Sequence, residues 1–257
     1  MRVQETSVPP FVIAWQTDVG LRRRGRPNED RVAVWTAPEE GKPPLLVVAD
    51  GMGGHRGGAL ASQVVVESFV ACYETLSPDV DWREGLSLCV YTAHKKVREA
   101  GQQRHYPSMG STVVAAVLLP DRVVGVNVGD SRAYLFQKGK LHQLSRDHSV
   151  AAELLRRGEL TPEEAYLHPT RNRLIQSISA QRDQIFPHLF DVPWQPGDQL
   201  LLCSDGLWGV VPETDIADTL RAHAPAEAVA RLIQRANEME GPDNISVIVA
   251  AYTALTT

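Results

Sequence analysis

The sequence predicts an α+β fold of two packed antiparallel β-sheets flanked by helices, an αββα sandwich. Two observations carry that reading. Short β-rich segments recur along the chain, and the helical patterns are grouped between blocks of strands instead of alternating with them. A third refines it. Residues 45–49, 200–203 and 245–251 are almost wholly apolar, as strands are when a second sheet covers one face and a helical layer the other.

The predicted strands span residues 11–17, 32–36, 45–49, 112–119, 122–128, 133–137, 189–192, 199–203 and 245–252. Turn residues such as Pro120-Asp121, Lys138-Gly139 and Pro196-Gly197-Asp198 separate several of them. Two long helices are expected over 59–76 and 83–102. In the first, Leu60, Val64, Val65, Phe69 and Tyr73 form one apolar stripe, and in the second Leu86, Cys89, Val90, Ala93 and Val97 do. A third helix over 225–238 opens with Pro225 at a first-turn position. Residues 145–186 are richer in Arg, Gln, His and Pro, with short helical patterns at 150–157 and 162–166. They read as an excursion from the sheets that serves as a lid, or flap, beside a site. No repeat or Ser/Gly linker divides the chain, so residues 1–257 are expected to form one domain.

Composition narrows the class. A net charge of −5 over 257 residues argues against a dedicated nucleic-acid binder, and Arg22-Arg23-Arg24 with Arg26 is too short a basic run to reverse that. Cys72, Cys89 and Cys203 have neither the number nor the spacing of a disulfide framework or a zinc knuckle, which suits a reducing compartment. The first ten residues lack an apolar signal-peptide core, and no apolar run has the length of a membrane span. A cytoplasmic protein is expected. The five tryptophans show no stacking pattern and read as core or rim residues.

Four acids stand beside glycine or asparagine at strand ends. Asp50-Gly51 follows the strand over 45–49 and Asp205-Gly206 the strand over 199–203. Asp243-Asn244 precedes the last strand, and Asp130 follows the strand over 122–128. Any one alone is an ordinary turn. Converging on one edge of a sandwich, they form a cluster in which two carboxylates about 4 Å apart repel by roughly 4 kcal/mol at an effective dielectric of 20. Such a cluster calls for cations, and hard oxygen ligands select Mg²⁺ or Mn²⁺. A glycine after Asp50 lets the main-chain carbonyl approach an ion. Cysteine-based phosphate chemistry needs an arginine six positions after the nucleophile, where this chain has Pro78, Lys95 and Gly209.

In order along the chain, Asn28-Glu29-Asp30, Asp50-Gly51-Met52-Gly53-Gly54, Gly110-Ser111-Thr112, Gly129-Asp130-Ser131-Arg132, Asp147-His148-Ser149, Ser204-Asp205-Gly206-Leu207 and Asp243-Asn244 resemble the motifs of the bacterial type 2C (PPM-type) metal-dependent protein serine/threonine phosphatases. The resemblance runs from about Thr17 to Tyr252 and implies the same sandwich fold. It implies that Asp50 bridges two Mn²⁺ or Mg²⁺ ions, that the Gly51 carbonyl holds the first, and that Asp205 and Asp243 hold the second. Asp130 matches the ligand of a third metal beside the lid, and Glu29 and Asp30 match acids that hydrogen-bond metal-bound waters. Phosphoserine and phosphothreonine would be hydrolysed by direct attack of a metal-bridging water or hydroxide, with no phosphoenzyme. The implied substrates are phosphorylated proteins, products of a bacterial Ser/Thr kinase.

Two roles stay open. His55 is a candidate general acid for the leaving oxygen, with a metal-bound water as the alternative donor. The family's phosphate-binding arginine falls where this chain has Gly25, so Arg24 or Arg26 is expected to serve, Arg24 first. His168-Pro169 and Arg171-Asn172-Arg173 in the lid either touch a phosphopeptide or are solvated loop.

Overall fold

The computed structural model describes residues 2–37, 41–53 and 56–253. Along the chain run β1 (Gln4–Val8), β2 (Phe11–Asp18), a 3-10 turn (Leu21–Arg23), β3 (Asp30–Trp35) and β4 (Leu45–Met52). Helices α1 (Arg56–Thr75) and α2 (Trp82–Gln103) follow, then β5 (Gly110–Ser111), β6 (Val113–Leu118), β7 (Arg122–Val128), β8 (Arg132–Gln137) and β9 (Lys140–Gln143). The excursion carries α3 (Val150–Arg156), α4 (Pro162–Leu167) and β10 (Ile178–Ser179). The chain closes with β11 (His188–Pro193), β12 (Gln199–Cys203), α5 (Asp205–Trp208), α6 (Glu213–Ala222), α7 (Pro225–Glu238) and β13 (Ile245–Tyr252).

One sheet has the order β1-β2-β13-β12-β8-β9. The other runs β10-β5-β4-β6-β7-β11, with β3 also paired to β4. The named strand pairs are antiparallel. The apolar strands are covered on both faces, as their composition predicts. Leu46 and Val48 of β4 meet Leu200 and Leu202 of β12 and Ile248 of β13 in the layer between the sheets. Their neighbours Leu45, Val47 and Ala49 face outward into a cluster with Phe69, Tyr73, Leu86 and Val90 of α1 and α2. Leu201, Cys203, Val247 and Val249 face the opposite way, against Leu232 and Ile233 of α7. The period-two alternation of a strand thus feeds three apolar layers.

Strands β1, β5, β9 and β10 and helices α5 and α6 have no counterpart in the sequence pattern. Edge strand β1 is largely exposed, so it lacks an apolar stripe. Helix α6 buries only Ile216 and Leu220, too short a stripe to set a period. Both long helices start within three residues of the expected position or earlier, and Asp81 caps α2 through the Arg83 N–H at 2.8 Å. Between β9 and β11 the excursion returns on its own base. Val150 donates to the Arg173 carbonyl at 2.9 Å and Ile175 to the His148 carbonyl at 2.8 Å. Among the described residues no helix is long and apolar enough to cross a membrane.

Candidate metal centre

Strand polarity gathers the acids. Strand β12 runs antiparallel to both β8 and β13, with Cys203 paired to Arg132 and to Val247. The end of β12, the start of β8 and the start of β13 therefore share one edge, which carries Asp205, Asp130 and Asp243. On the facing sheet Asp30 of β3 sits in register with Asp50 of β4. A cavity of about 520 Å³ opens there, lined by Glu29, Asp50, Gly51, Asp130, Asp205 and Asp243. Asn172, Leu174 and Ser177 of the excursion line it from the opposite side, together with Arg23. Asp30 does not line the cavity. It is buried behind it, its Oδ2 accepting from Ser204 Oγ at 2.7 Å.

Hydrogen bonds fix the loops that present these acids. Thr112 Oγ1 accepts from the Asp50 N–H at 3.0 Å and lies 2.7 Å from Ser131 Oγ, joining the Asp50 strand to the Asp130 turn. Asn244 Oδ1 accepts from the Glu29 N–H, and Asn244 Nδ2 donates to the Val19 carbonyl, both at 2.8 Å. The Gly51 N–H reaches the Glu29 carbonyl at 3.1 Å. Two glycines permit close backbone approach. A Cβ on Gly51 would fall 2.1 Å from the Gly58 carbonyl oxygen, and one on Gly206 1.9 Å from that of Asn244.

The electrostatics are those of crowded, desolvated carboxylates. Burial, and after it the charges of Asp205 and Asp243, raises the Asp30 carboxyl to about 7 against the opposing bonds from Ser204 and Ser246. Burial and the Asp243 charge bring Asp205 to about 6. Asp50 is pushed well above the usual carboxylate range by burial and then by Asp30 and Asp205. Asp130 is pushed up by burial and then by Asp205 and Asp147. One buried oxygen on each of Asp30 and Asp205 has no hydrogen-bond partner among the described residues. Acceptor-only oxygens crowded in this way fit a hard divalent cation. Among the described residues no three acidic, histidine or cysteine side chains are close enough to enclose an ion by themselves. Carboxylates completed by the Gly51 carbonyl form an all-oxygen donor set, which suits Mg²⁺ or Mn²⁺.

The arginine cluster divides in the structure. Arg24 and Arg26 are exposed and neither lines the cavity; Arg23 does. Its Nη2 lies 2.6 Å from Glu29 Oε2 and its Nη1 2.8 Å from Asp243 Oδ1. The cause is local. The 3-10 turn at Leu21–Arg23 lies between Gly20 and Gly25, both with positive φ, and the Arg26 N–H closes on the Arg23 carbonyl at 3.0 Å. This winding turns Arg23 inward and leaves its two neighbours in solvent. The flanking glycines mark a turn in the sequence but not which arginine it aims inward. His55 lies outside the described residues. Of the lid residues, Asn172 reaches the cavity, whereas Arg171 instead donates to the Tyr166 and Gly209 carbonyls.

Comparison with known proteins agrees with this geometry. Residues 20–245 match the family model described as protein phosphatase 2C. The serine/threonine phosphatase stp of Listeria welshimeri is 37% identical over 249 residues, an alignment covering 91% of this chain and 93% of that protein. The serine/threonine phosphatase of S. agalactiae superposes with a TM-score of 0.87 at 34% identity, over 95% of this chain and 100% of that one. The catalytic domain of the phosphatase PstP, solved in complex with two manganese ions, gives a TM-score of 0.82 at 31% identity, over 95% and 99% of the two chains. The chain belongs to the protein phosphatase 2C family.

Proposed function

We propose that this protein hydrolyses phosphoserine and phosphothreonine in protein substrates, with Asp50, the Gly51 carbonyl, Asp205 and Asp243 holding two Mn²⁺ or Mg²⁺ ions. Asp130 serves a third. The observation that carries the reading is the set of acids around one cavity that also contains a guanidinium. Bound cations would supply Lewis acidity that makes hydroxide available near neutral pH and offsets charge on the phosphoryl oxygens.

The remaining work belongs to the chain's own groups. Arg23 presents a planar fork of N–H donors that matches two phosphate oxygens and fixes the phosphoryl group in the cavity. Glu29 is an acceptor that orients water at the acid cluster, and Asp30, steadied by the Ser204 hydroxyl, backs the cluster from behind the cavity. Asn172 and Ser177 close the cavity from the flap side, where a peptide flanking the phosphorylated residue would lie. His55 retains the role of candidate general acid. The whole chain acts as one catalytic domain, with residues 145–186 as its flap. Its substrates are products of a bacterial Ser/Thr kinase, and a cytoplasmic location accords with three unbridged thiols.

The test is phosphate release from a phosphothreonine peptide with Mn²⁺, with chelator, and with Asp205→Asn or Asp243→Asn. Release should require Mn²⁺ and vanish with chelator or either substitution. Full turnover in chelator, or in both variants, would falsify the assignment.

A further inference from the structure

Helices α1 and α2 bring two thiols together far from the metal centre. Cys72 and Cys89 lie 17 residues apart in sequence, and their Sγ atoms are 2.8 Å apart across the helix seam. Both belong to the apolar cluster under α1 and α2, among Phe69, Tyr73 and Leu86. The third cysteine, Cys203, sits in the separate cluster beneath α7 and has neither of the others for a neighbour. We propose that Cys72 and Cys89 form a reversible intramolecular disulfide when the protein meets a peroxide.

The geometry supplies both proximity and a route. At this separation the two sulfurs stand within about 1 Å of the length of a disulfide bond. Cys72 lines a surface groove of about 520 Å³ between the helices, beside Thr75, Leu88 and Lys96, and at 9% exposure it is the thiol nearer to solvent. Cys89 is fully buried behind it. Cys72 therefore reacts with the oxidant first and Cys89 resolves.

The steps balance with hydrogen peroxide as the two-electron oxidant. The Cys72 sulfur attacks one peroxide oxygen, the O–O bond breaks, and a sulfenic acid and one water form. The Cys89 sulfur then attacks the Cys72 sulfur, the S–O bond breaks, and the hydroxyl leaves as a second water with the Cys89 proton. Two thiols are oxidised and one peroxide is reduced. Burial pushes the Cys89 thiol well above the usual thiol range, which makes the resolving step slow. The bond is thus a staple that accumulates during sustained oxidative exposure. It ties α1 to α2, and α1 is the helix whose first turn carries Gly58 against Gly51 at the metal cavity.

The experiment uses the whole protein. After peroxide treatment it is denatured, its free thiols are alkylated, and it is digested for mass spectrometry. A peptide pair joining Cys72 to Cys89 is expected, with Cys203 alkylated. Before denaturation the oxidised protein should melt about 5–10 °C higher, because the bridge restricts the unfolded chain. Dithiothreitol should reverse both signs, and Cys89→Ser should lack both. Alkylation of both Cys72 and Cys89 after treatment overturns the proposal. So does sulfinic acid on Cys72 without the cross-link, or a bridge to Cys203. The wild-type digest alone decides, whatever the variant does.

Discussion

The indole N–H of Trp208 donates to the main-chain carbonyl of Asp130 at 2.9 Å. Trp208 ends the short helix that begins at Asp205, so this one bond ties two acids of the cavity through their backbones. The same indole carries the Arg132 guanidinium 3.6 Å from its ring centroid, and Arg132 clamps Asp147 at the foot of the flap at 2.7 Å. Sheet, flap and metal cavity meet at this stack.

Trp208→Phe separates the bond from the stacking. Phenylalanine keeps an aromatic face for Arg132 but has no N–H, leaving a buried carbonyl short of a donor. The expected loss of stability is about 1–3 kcal/mol, with weaker Mn²⁺ binding at the Asp130 side. Trp208→Ala should cost about 3–5 kcal/mol. Urea denaturation of the three proteins checks the order, and equal stability of wild type and Trp208→Phe would refute the role of the bond.

Arg23 is expected to govern substrate binding, while Arg24 and Arg26 are not. Arg23→Ala removes the donors to phosphate together with the pairs to Glu29 and Asp243, and should lower kcat/KM about 10- to 100-fold. Arg23→Lys keeps the charge without the fork and should fall between. Arg24→Ala and Arg26→Ala should stay within about 3-fold of wild type, since neither side chain lines the cavity. Steady-state kinetics on a phosphothreonine peptide distinguishes the four variants. A larger loss for Arg24→Ala than for Arg23→Ala would restore the original arginine assignment.

What was legible in the sequence divides along physical lines. Leu45–Ala49 within β4, β12 and β13 declared themselves because strands covered on both faces carry few polar positions. Acids beside Gly51, Gly206 and Asn244 were visible because turn chemistry at strand ends is local. Helix α6 was hidden by having just two buried side chains, and β1 by lying exposed at an edge. Which of four clustered arginines points inward depends on a turn wound between Gly20 and Gly25, and residue type alone does not report that rotation. The partner of the Trp208 N–H is 78 residues away, beyond any local pattern.

Gly206 is expected to be intolerant of a side chain, because its backbone packs on that of Asn244 to set Asp205 beside Asp243. A Cβ there would lie 1.9 Å from the Asn244 carbonyl oxygen, so Gly206→Ala must push the two loops apart. The expected cost is about 1–3 kcal/mol in stability, accompanied by weaker Mn²⁺ affinity. Gly57→Ala is the control. Its Cβ would meet Met109 at an ordinary 3.5 Å within a helix, where alanine gains up to about 1 kcal/mol over glycine. Thermal melts and calorimetric Mn²⁺ titration test the pair; unchanged Mn²⁺ affinity in Gly206→Ala would mean that the contact does not space the ligands.

The carboxylate cluster predicts a pH-dependent response to cations. In protein stripped of metal, Asp30 titrates near 7 and Asp205 near 6, and Asp50 and Asp130 are also raised, all above the ordinary value of 3.8. Between 3.8 and about 7 the folded chain therefore binds more protons than the unfolded chain, and its stability falls as pH rises through that window. Cations bind the deprotonated acids, so their stabilising effect grows over the same window. His148 acts in the opposite sense: burial lowers it to about 4, and its contribution is lost as pH falls from 6.5 through 4. That contribution is common to the metal-loaded and stripped protein and cancels in the difference between them. The rise in melting temperature on adding Mn²⁺ should accordingly be several degrees larger at pH 7.5 than at pH 5. An equal rise at both values would mean that the acids are not charged against one another in the folded chain.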